Sequence, residues 1–252
     1  MLKEQGIHVV TPVQLQVDNP QKYEDTNYVV YPFIDGQKYV GKEDEIYAVG
    51  KMLGQIHAAS PSSNTYSLLE YDVYDFNEQE VEESMAAIYQ HAKKAGVVVD
   101  IHLRDKLLEI VANQRHLWGA RLPHVATPHD FKANNLIFTP EPFLIDPDNA
   151  IWIPRIFDLA LTLLLFHNEH LEAPDCVFTK AEWALFMEGY NTSITLTEQE
   201  HQFWDKAVQH VFLDEVMWLM AEFEEDWQSS SQQNLFKSVI QIMMDSQDYL
   251  LI

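Results

Sequence analysis

The stretch 129–158 constrains this 252-residue chain more than any other. It contains Asp130, then Asn135 five residues later, then Asp146 eleven residues after that. Between Asn135 and Asp146, two short apolar runs flank a Thr-Pro-Glu-Pro turn, which predicts a pair of antiparallel strands. Such a hairpin returns Asp146 to the loop that holds the other two residues. The pattern therefore predicts a polar cluster at one end of the hairpin.

These three side chains are the polar groups that phosphoryl transfer requires. A carboxylate orients the accepting hydroxyl and takes its proton, while oxygen ligands hold Mg²⁺ against the phosphates. Asp130 suits the first role, and Asn135 and Asp146 suit the second. Lys132 is placed to bring positive charge to the transferred phosphate, although a solvent-exposed lysine is an equally good interpretation. Ordinary capping of loops by Asp and Asn is the structural alternative for the other three.

The same stretch resembles the catalytic core of the aminoglycoside phosphotransferase and choline kinase group, which shares the protein-kinase-like fold. In that family the catalytic loop reads H-x-D-x-x-x-x-N, a metal-binding Asp follows in I-D-x-x-x-A, and a D-L-A segment opens the next helix. The resemblance implies that Asp130 is the catalytic aspartate and that Asn135 and Asp146 bind the metal. It also implies that Asp158 is the buried aspartate that braces the catalytic loop.

Two upstream segments extend the resemblance. Residues 28–36 resemble the hinge strand on which the adenine of the nucleotide sits, and 53–57 resemble the L-x-x-L-H end of the helix that follows the hinge. The resemblance implies that Tyr31 and Phe33 contact the nucleotide. It also implies ATP and Mg²⁺ as the cofactors of an ATP-dependent phosphotransferase with a small-molecule hydroxyl as acceptor.

The sequence departs from the family pattern in two places. Pro128 replaces the family's histidine, and a histidine stands instead at His129. No G-x-G-x-x-G occurs, and only 27 residues precede Tyr28, too few for a five-stranded lobe. Lys3 is the only Lys or Arg in the first twenty residues and lacks a strand context. We therefore expect the chain to begin partway through the small lobe.

These departures leave three functions open. The first is an active small-molecule kinase, which the catalytic cluster and the hinge-like segment favour. The second is a catalytically inactive, kinase-like binding or scaffolding module, since the glycine-rich loop and the strand lysine are absent. The third is a Mg²⁺-dependent phosphohydrolase that would direct the same carboxylates at water, and it would need no hinge strand.

Outside the hairpin the pattern is mostly helical. We expect an α+β, predominantly helical fold, with a partial N-terminal β-lobe remnant and hinge strand over 1–36 and a protein-kinase-like C-terminal lobe over 37–252. Apolar spacing and turn residues predict helices at 43–59, 78–94, 101–118, 158–169, 179–190, 197–226 and 231–249.

Charge and composition limit the partners. The net charge of −23 argues against nucleic acid and against an anionic membrane surface. It suits a cationic small molecule, although an acidic surface that only aids solubility would give the same charge. The single Cys176 excludes an intrachain disulfide and is typical of a reducing compartment. With no apolar signal or membrane-length segment, we expect a cytoplasmic location.

Residues 207–226 contain a candidate substrate surface. Their apolar side chains form one helical stripe, and Asp214, Trp218 and Glu222 fall on another face. Carboxylates beside an aromatic ring suit a polycation or a quaternary ammonium group. A solvated helix face with a partly buried tryptophan is the alternative. The acceptor could therefore be aminoglycoside-like or another cationic amino alcohol.

Overall fold

The computed structural model describes residues 2–72, 76–117, 119–245 and 249–251. Within these ranges helices dominate, which confirms the predominantly helical α+β class. The α-helices are α1 (Glu43–Ala58), α2 (Glu78–Ala95), α3 (Leu103–Asn113), α4 (Arg155–Leu165), α5 (Lys180–Tyr190), α6 (Glu198–Val211), α7 (Met217–Glu222) and α8 (Ser230–Met244). The strands are β1 (Gln21–Tyr23), β2 (Thr26–Tyr28), β3 (Gln37–Lys38), β4 (Leu69–Glu70), β5 (His124–Thr127), β6 (Leu136–Phe138), β7 (Pro142–Leu144) and β8 (Ile151–Pro154).

The predicted hairpin is present as β6 and β7. The two strands pair antiparallel, with Leu136 opposite Leu144, and β3 adds to the other edge of β6. Leu136 and Leu144 are buried, and they anchor the hairpin in the core. The loop that precedes β6 and the segment that follows β7 therefore lie at the same end, as the sequence pattern requires.

A second three-stranded sheet leads into the same loop, and the sequence did not reveal it. In this sheet β8 is central, with β4 parallel on one side and β5 antiparallel on the other. None of its strands exceeds four residues, which is too short for an apolar alternation to stand out from the surrounding chain. Because β5 ends at Thr127, this sheet fixes the start of the 128–135 loop.

The hinge-like segment is less regular than predicted. β2 ends at Tyr28, and residues 29–36 form no strand. The main chain of Val30 bonds instead to the side chain of Asn19 and to the N–H of Val13. Pro32 then removes a donor that a strand ladder would need. A side-chain bond and a proline thus replace the expected pairing.

Helix α1 is held against α5 by close backbone contacts. A Cβ atom at Gly50 would lie 2.0 Å from the carbonyl oxygen of Phe186, and one at Gly54 would lie 2.4 Å from that of Tyr190. Only glycine permits this approach. The contact positions the end of α1, where His57 is buried, beside Asp158 and the end of β5.

The long helix predicted at 197–226 is interrupted. α6 gives way to a π-helical turn at Phe212–Val216, α7 follows, and the chain then leaves α-helical geometry at Phe223. The predicted C-terminal helix is observed as α8. Two predicted ends, at Trp118 and at 246–248, lie outside the described residues. None of the described helices has the length and apolar character needed to span a membrane.

Candidate active site

The loop after β5 holds Asp130 in an unusual backbone conformation. His129 and Asp130 have φ values of +54° and +48°, in the left-handed region that side chains other than glycine rarely adopt. The side-chain amide nitrogen of Asn135, Nδ2, donates to the backbone carbonyl of Asp130 at 2.9 Å and lies 3.3 Å from the Asp130 carboxylate. Non-glycine residues in this region concentrate at functional sites. Asn135 thus stabilises the loop that presents Asp130.

Asp146 is brought to the same place through the backbone. The N–H of Ile145 donates to the carbonyl of Asn135 at 2.9 Å. Asp146 is the next residue and is solvent-exposed. Asn135 and Asp146 together offer one amide oxygen and one carboxylate. This donor set fits Mg²⁺, which commonly takes one or two protein ligands and completes its shell with phosphates and water.

Within the described residues, no three His, Cys, Asp or Glu side chains converge as a metal-binding group. A site closed entirely by such protein ligands, of the kind that structural zinc requires, is therefore not present in this part of the chain.

The hinge-like segment meets this site through Tyr31. Its hydroxyl donates to Asp148 at 3.0 Å. Burial, the bond to Asp148 and the charges of Asp148 and Asp146 all raise the pKa of Tyr31. Phe33, by contrast, is 91% exposed. Of the two expected nucleotide contacts, Tyr31 is thus tied to the segment that bears Asp146 and Asp148, while the ring of Phe33 is exposed to solvent.

Lys132 forms ion pairs with two carboxylates. Its ammonium nitrogen lies 3.2 Å from Asp130 and 3.3 Å from Glu169. Burial alone would lower the pKa of Lys132, but the two negative charges outweigh it and raise the pKa. Lys132 is therefore a cation beside Asp130.

Asp158 is the buried brace of the loop. It is 1% exposed and accepts hydrogen bonds from His57 Nε2 at 2.8 Å and from Thr127 at 3.0 Å. Burial acts to raise its pKa, but the hydrogen bonds from His57 and Thr127 and the electrostatic effect of His57 lower it overall. His57 also bonds to Tyr190 at 2.8 Å. Asp158 thus fixes the end of β5, immediately before the catalytic loop.

This brace predicts a pH dependence of stability. Because the folded pKa of Asp158 lies below its ordinary value of 3.8, its contribution is complete above that value and is lost as the pH falls through the lower folded pKa. Asp158→Asn should cost about 3 kcal/mol at neutral pH, as breaking a buried pair does. It should also flatten the loss of stability in the acid range below pH 3.8. Urea unfolding across this range tests both effects. The exposed Asp25→Asn is the control, and an equal slope in both variants would contradict the assignment.

A cavity of about 350 Å³ opens beside Asp130. Its polar wall holds the carboxylates of Asp130, Glu169 and Glu215, with Lys132 as the cation. The rest of the lining is His129, Phe131, Asn149, Leu161, Leu165, Asn168, Trp218, Leu219 and Phe223. The cavity therefore combines an acidic wall with aromatic and apolar surface.

The π-helical turn decides which of the predicted substrate residues reach this cavity. Trp218 lines it, but Asp214 turns away and accepts a hydrogen bond from Tyr71. Glu222 is exposed and is not part of the lining. Glu215 takes their place, because the widened turn departs from the regular helix that the prediction assumed. Burial and the charge of Asp214 raise the pKa of Glu215.

Sequence reasoning missed three side chains at this site. Glu215 and Glu169 carry no motif, and their positions follow from the π-helical turn and from the end of α4. His57 falls in the segment 53–57 that resembles the L-x-x-L-H helix end, but this pattern alone gave it no role at the site. A projection that assumes a regular helix through 212–216 misses Glu215, because the wider turn there places Glu215, instead of Asp214, on the side of Trp218.

The helical lobe, the hairpin and the loop that joins them define a kinase-like phosphotransferase fold. The chain belongs to the phosphotransferase enzyme family known as APH, whose sequence profile matches residues 1–185. The resemblance found in the catalytic segment is thereby confirmed.

Solved structures agree on the fold. A spectinomycin phosphotransferase in complex with ADP and spectinomycin is 16% identical, with a TM-score of 0.58 over 98% of this chain and 80% of that one. An aminoglycoside phosphotransferase from Alicyclobacillus acidocaldarius is 17% identical, with a TM-score of 0.56 over 96% and 80%. A choline kinase from Cryptosporidium parvum is 14% identical, with a TM-score of 0.54 over 99% and 78%. No curated protein matches the chain.

Proposed function

We propose that this protein transfers the γ-phosphate of ATP to a hydroxyl group of a small cationic molecule. The observation that carries the proposal is the position of the Asp130 carboxylate. It lies at the wall of an acidic cavity, and Asn135 and Ile145 link its loop to the segment that bears Asp146. A hydroxyl held in this cavity would lie between the Asp130 carboxylate, which acts as the base, and the residues Asn135 and Asp146, which would hold the metal and the phosphates.

Each side chain has a distinct role in this reaction. Asp130 accepts the hydroxyl proton as the hydroxyl oxygen bonds to the γ-phosphorus and the bond to the departing ADP oxygen breaks. Lys132 limits the repulsion between Asp130 and the incoming phosphate. Asn135 and Asp146 hold Mg²⁺, which offsets the negative charge of the phosphates when bound. Tyr31 and Phe33 contact the nucleotide, and the exposed ring of Phe33 offers an apolar face for the base.

The cavity supports a cationic acceptor. Asp130, Glu169 and Glu215 outnumber the one lysine in its lining, and Trp218 adds an aromatic surface. A carboxylate and an aromatic face together stabilise an ammonium group. Among the solved structures, one is an aminopropanol kinase and another an ethanolamine kinase from Plasmodium vivax, which suggests amino alcohols as the first acceptors to test.

The proposal is tested by measuring phosphate transfer from labelled ATP. Aminopropanol, ethanolamine, choline and spectinomycin serve as acceptors, with Mg²⁺ present and with Mg²⁺ chelated. We expect Mg²⁺-dependent transfer to at least one of them. If no acceptor is phosphorylated and calorimetry detects no Mg²⁺-dependent binding of an ATP analogue, the proposal is wrong and the protein is an inactive relative.

Replacing Glu215 tests where the cationic group binds. Glu215→Gln keeps the shape of the side chain but removes its charge, and a hydrogen bond to a charged group contributes about 1.5–3 kcal/mol. The KM for the amino-containing acceptor should therefore rise about ten- to a hundredfold, with the KM for ATP unchanged. Glu222→Gln is the matched control, because Glu222 is exposed and lies off the cavity. A larger effect at Glu222 than at Glu215 would contradict the assignment.

A further inference from the structure

A partly buried polar cluster is built around Asp214 of the π-helical turn. The Tyr71 hydroxyl donates a hydrogen bond to the carboxylate of Asp214, and His210 Nε2 lies 3.1 Å from the same hydroxyl oxygen. The Tyr71 ring packs edge to face against the ring of Phe157, with the ring centroids 5.7 Å apart. It packs in the same way against the ring of His210, with the centroids 6.0 Å apart. His210 is 1% exposed. Tyr71 and Asp214 are partly buried, and none of the three residues lines the cavity beside Asp130.

The direction of each hydrogen bond follows from the partners. A carboxylate can only accept, so the Tyr71 hydroxyl donates to Asp214 and has only its oxygen left for His210. His210 Nε2 must then carry the proton, which leaves Nδ1 as an acceptor. Within the described residues Nδ1 has no hydrogen-bond partner. Burial lowers the pKa of His210, although the charge of Asp214 opposes this effect. His210 is thus a neutral donor that orients Tyr71 towards Asp214.

Tyr71 is in turn fixed to the sheet that leads into the catalytic loop. It follows β4, and its backbone N–H donates to the carbonyl of Trp152 in β8 at 2.8 Å. On the other side of β8 lies β5, whose last residue, Thr127, precedes the catalytic loop. One sheet therefore holds both Tyr71 and the start of the loop that presents Asp130.

The hydrogen bond between Tyr71 and Asp214 also ties the π-helical turn to this sheet. Asp214 lies within the turn, and its neighbour Glu215 lines the cavity together with His129 and Asp130. A π-helical turn is a rare interruption of an α-helix and is found mostly at functional sites. The bond to Tyr71 occupies Asp214 and leaves Glu215 as the carboxylate that faces the cavity.

From this arrangement we infer that Tyr71 is a positioning residue for the acceptor. Through Asp214 it holds Glu215 at a fixed place relative to Asp130, and so it selects acceptors whose ammonium and hydroxyl groups reach both carboxylates. This inference rests on the proposed function for its consequence in catalysis. The position of Glu215, in contrast, can be measured without any activity.

The direct test is a carbon-13 NMR titration of the Glu215 carboxyl group in the full chain. In the native protein, burial and the charge of Asp214 raise the pKa of Glu215. Asp130 raises it further, and His129 lowers it. Lys132 and Glu169 are the other charged groups in the cavity lining. Tyr71→Phe should release the turn and return the titration towards the ordinary range of a glutamate. Tyr39→Phe is the control, since Tyr39 is buried and its hydroxyl is likewise bonded to a histidine, at 3.0 Å, outside the cavity.

Kinetics give the second readout. Tyr71→Phe should raise the acceptor KM about ten- to a hundredfold, the range expected when a charged contact is lost, without changing the KM for ATP. Asp214→Ala should behave in the same way. Asp214→Asn keeps an acceptor for the Tyr71 hydroxyl and should cause a smaller loss.

The two proposals fail in different ways. If Tyr71→Phe leaves both the Glu215 titration and the acceptor KM as in the native protein, the positioning role is wrong. The same conclusion follows if Tyr39→Phe reproduces its effects, because a general loss of stability would then explain them. If no acceptor is phosphorylated and no Mg²⁺-dependent binding of an ATP analogue is detected, the proposed function fails, and the titration alone still decides whether Tyr71 positions Glu215.

Discussion

Asp130→Asn should reduce kcat for phosphate transfer about 10²- to 10⁴-fold, the range that a positioned general base contributes. The amide keeps the size of the side chain and its place beside Asn135, but it cannot take the proton of the acceptor hydroxyl. Nucleotide affinity should change little, because the proposed nucleotide contacts, Tyr31 and Phe33, lie on another segment. Steady-state kinetics with the best acceptor measure the first effect, and calorimetry with an ATP analogue measures the second.

Asn134→Ala is the control for damage to the catalytic loop. Asn134 belongs to the same short turn as Asn135, but it is exposed where Asn135 is buried and bonded to Asp130. We expect this variant to keep kcat within a small factor of the native value. Full turnover in Asp130→Asn would show that the base lies elsewhere, and an equal loss in both variants would point to loop geometry instead.

The catalytic segment could be predicted because its information is local. The Asp-Asn spacing, the turn and the two apolar runs fall within one continuous stretch, and the hairpin then follows from strand pairing alone. Asp130, Asn135 and Asp146 are accordingly grouped at one end of β6 and β7. Their chemical roles remain predictions, because grouping does not demonstrate catalysis.

The acceptor side could not be predicted because it depends on contacts between distant residues. The Tyr71–Asp214 bond joins positions 143 residues apart, and the His57–Asp158 bond joins positions 101 apart. A regular helical wheel grouped Asp214, Trp218 and Glu222, and only Trp218 lines the cavity. Helical periodicity carries no signal for a π-helical turn, which is stabilised here by a tertiary hydrogen bond.

Asp146→Asn should cause a loss comparable in size to that of Asp130→Asn. If Asp146 supplies the carboxylate ligand for Mg²⁺, removing its charge weakens the metal that offsets the charge of the phosphates, a contribution of several kcal/mol. This corresponds to a decrease in kcat/KM of about a thousandfold or more at a fixed Mg²⁺ concentration. The Mg²⁺ concentration for half-maximal rate should rise at the same time, since Asn135 would be the only protein ligand left.

Metal titration separates this effect from damage to the hairpin. Glu141→Gln is the matched control, because Glu141 is exposed in the turn between β6 and β7 and lies away from Asp146 on the same hairpin. It should leave both the rate and the Mg²⁺ dependence near their native values. If Asp146→Asn lowers the rate but leaves the Mg²⁺ dependence unchanged, Asp146 acts through the structure of its loop. If it changes neither, the metal ligand must be sought elsewhere, with Asp148 as the nearest carboxylate along the chain.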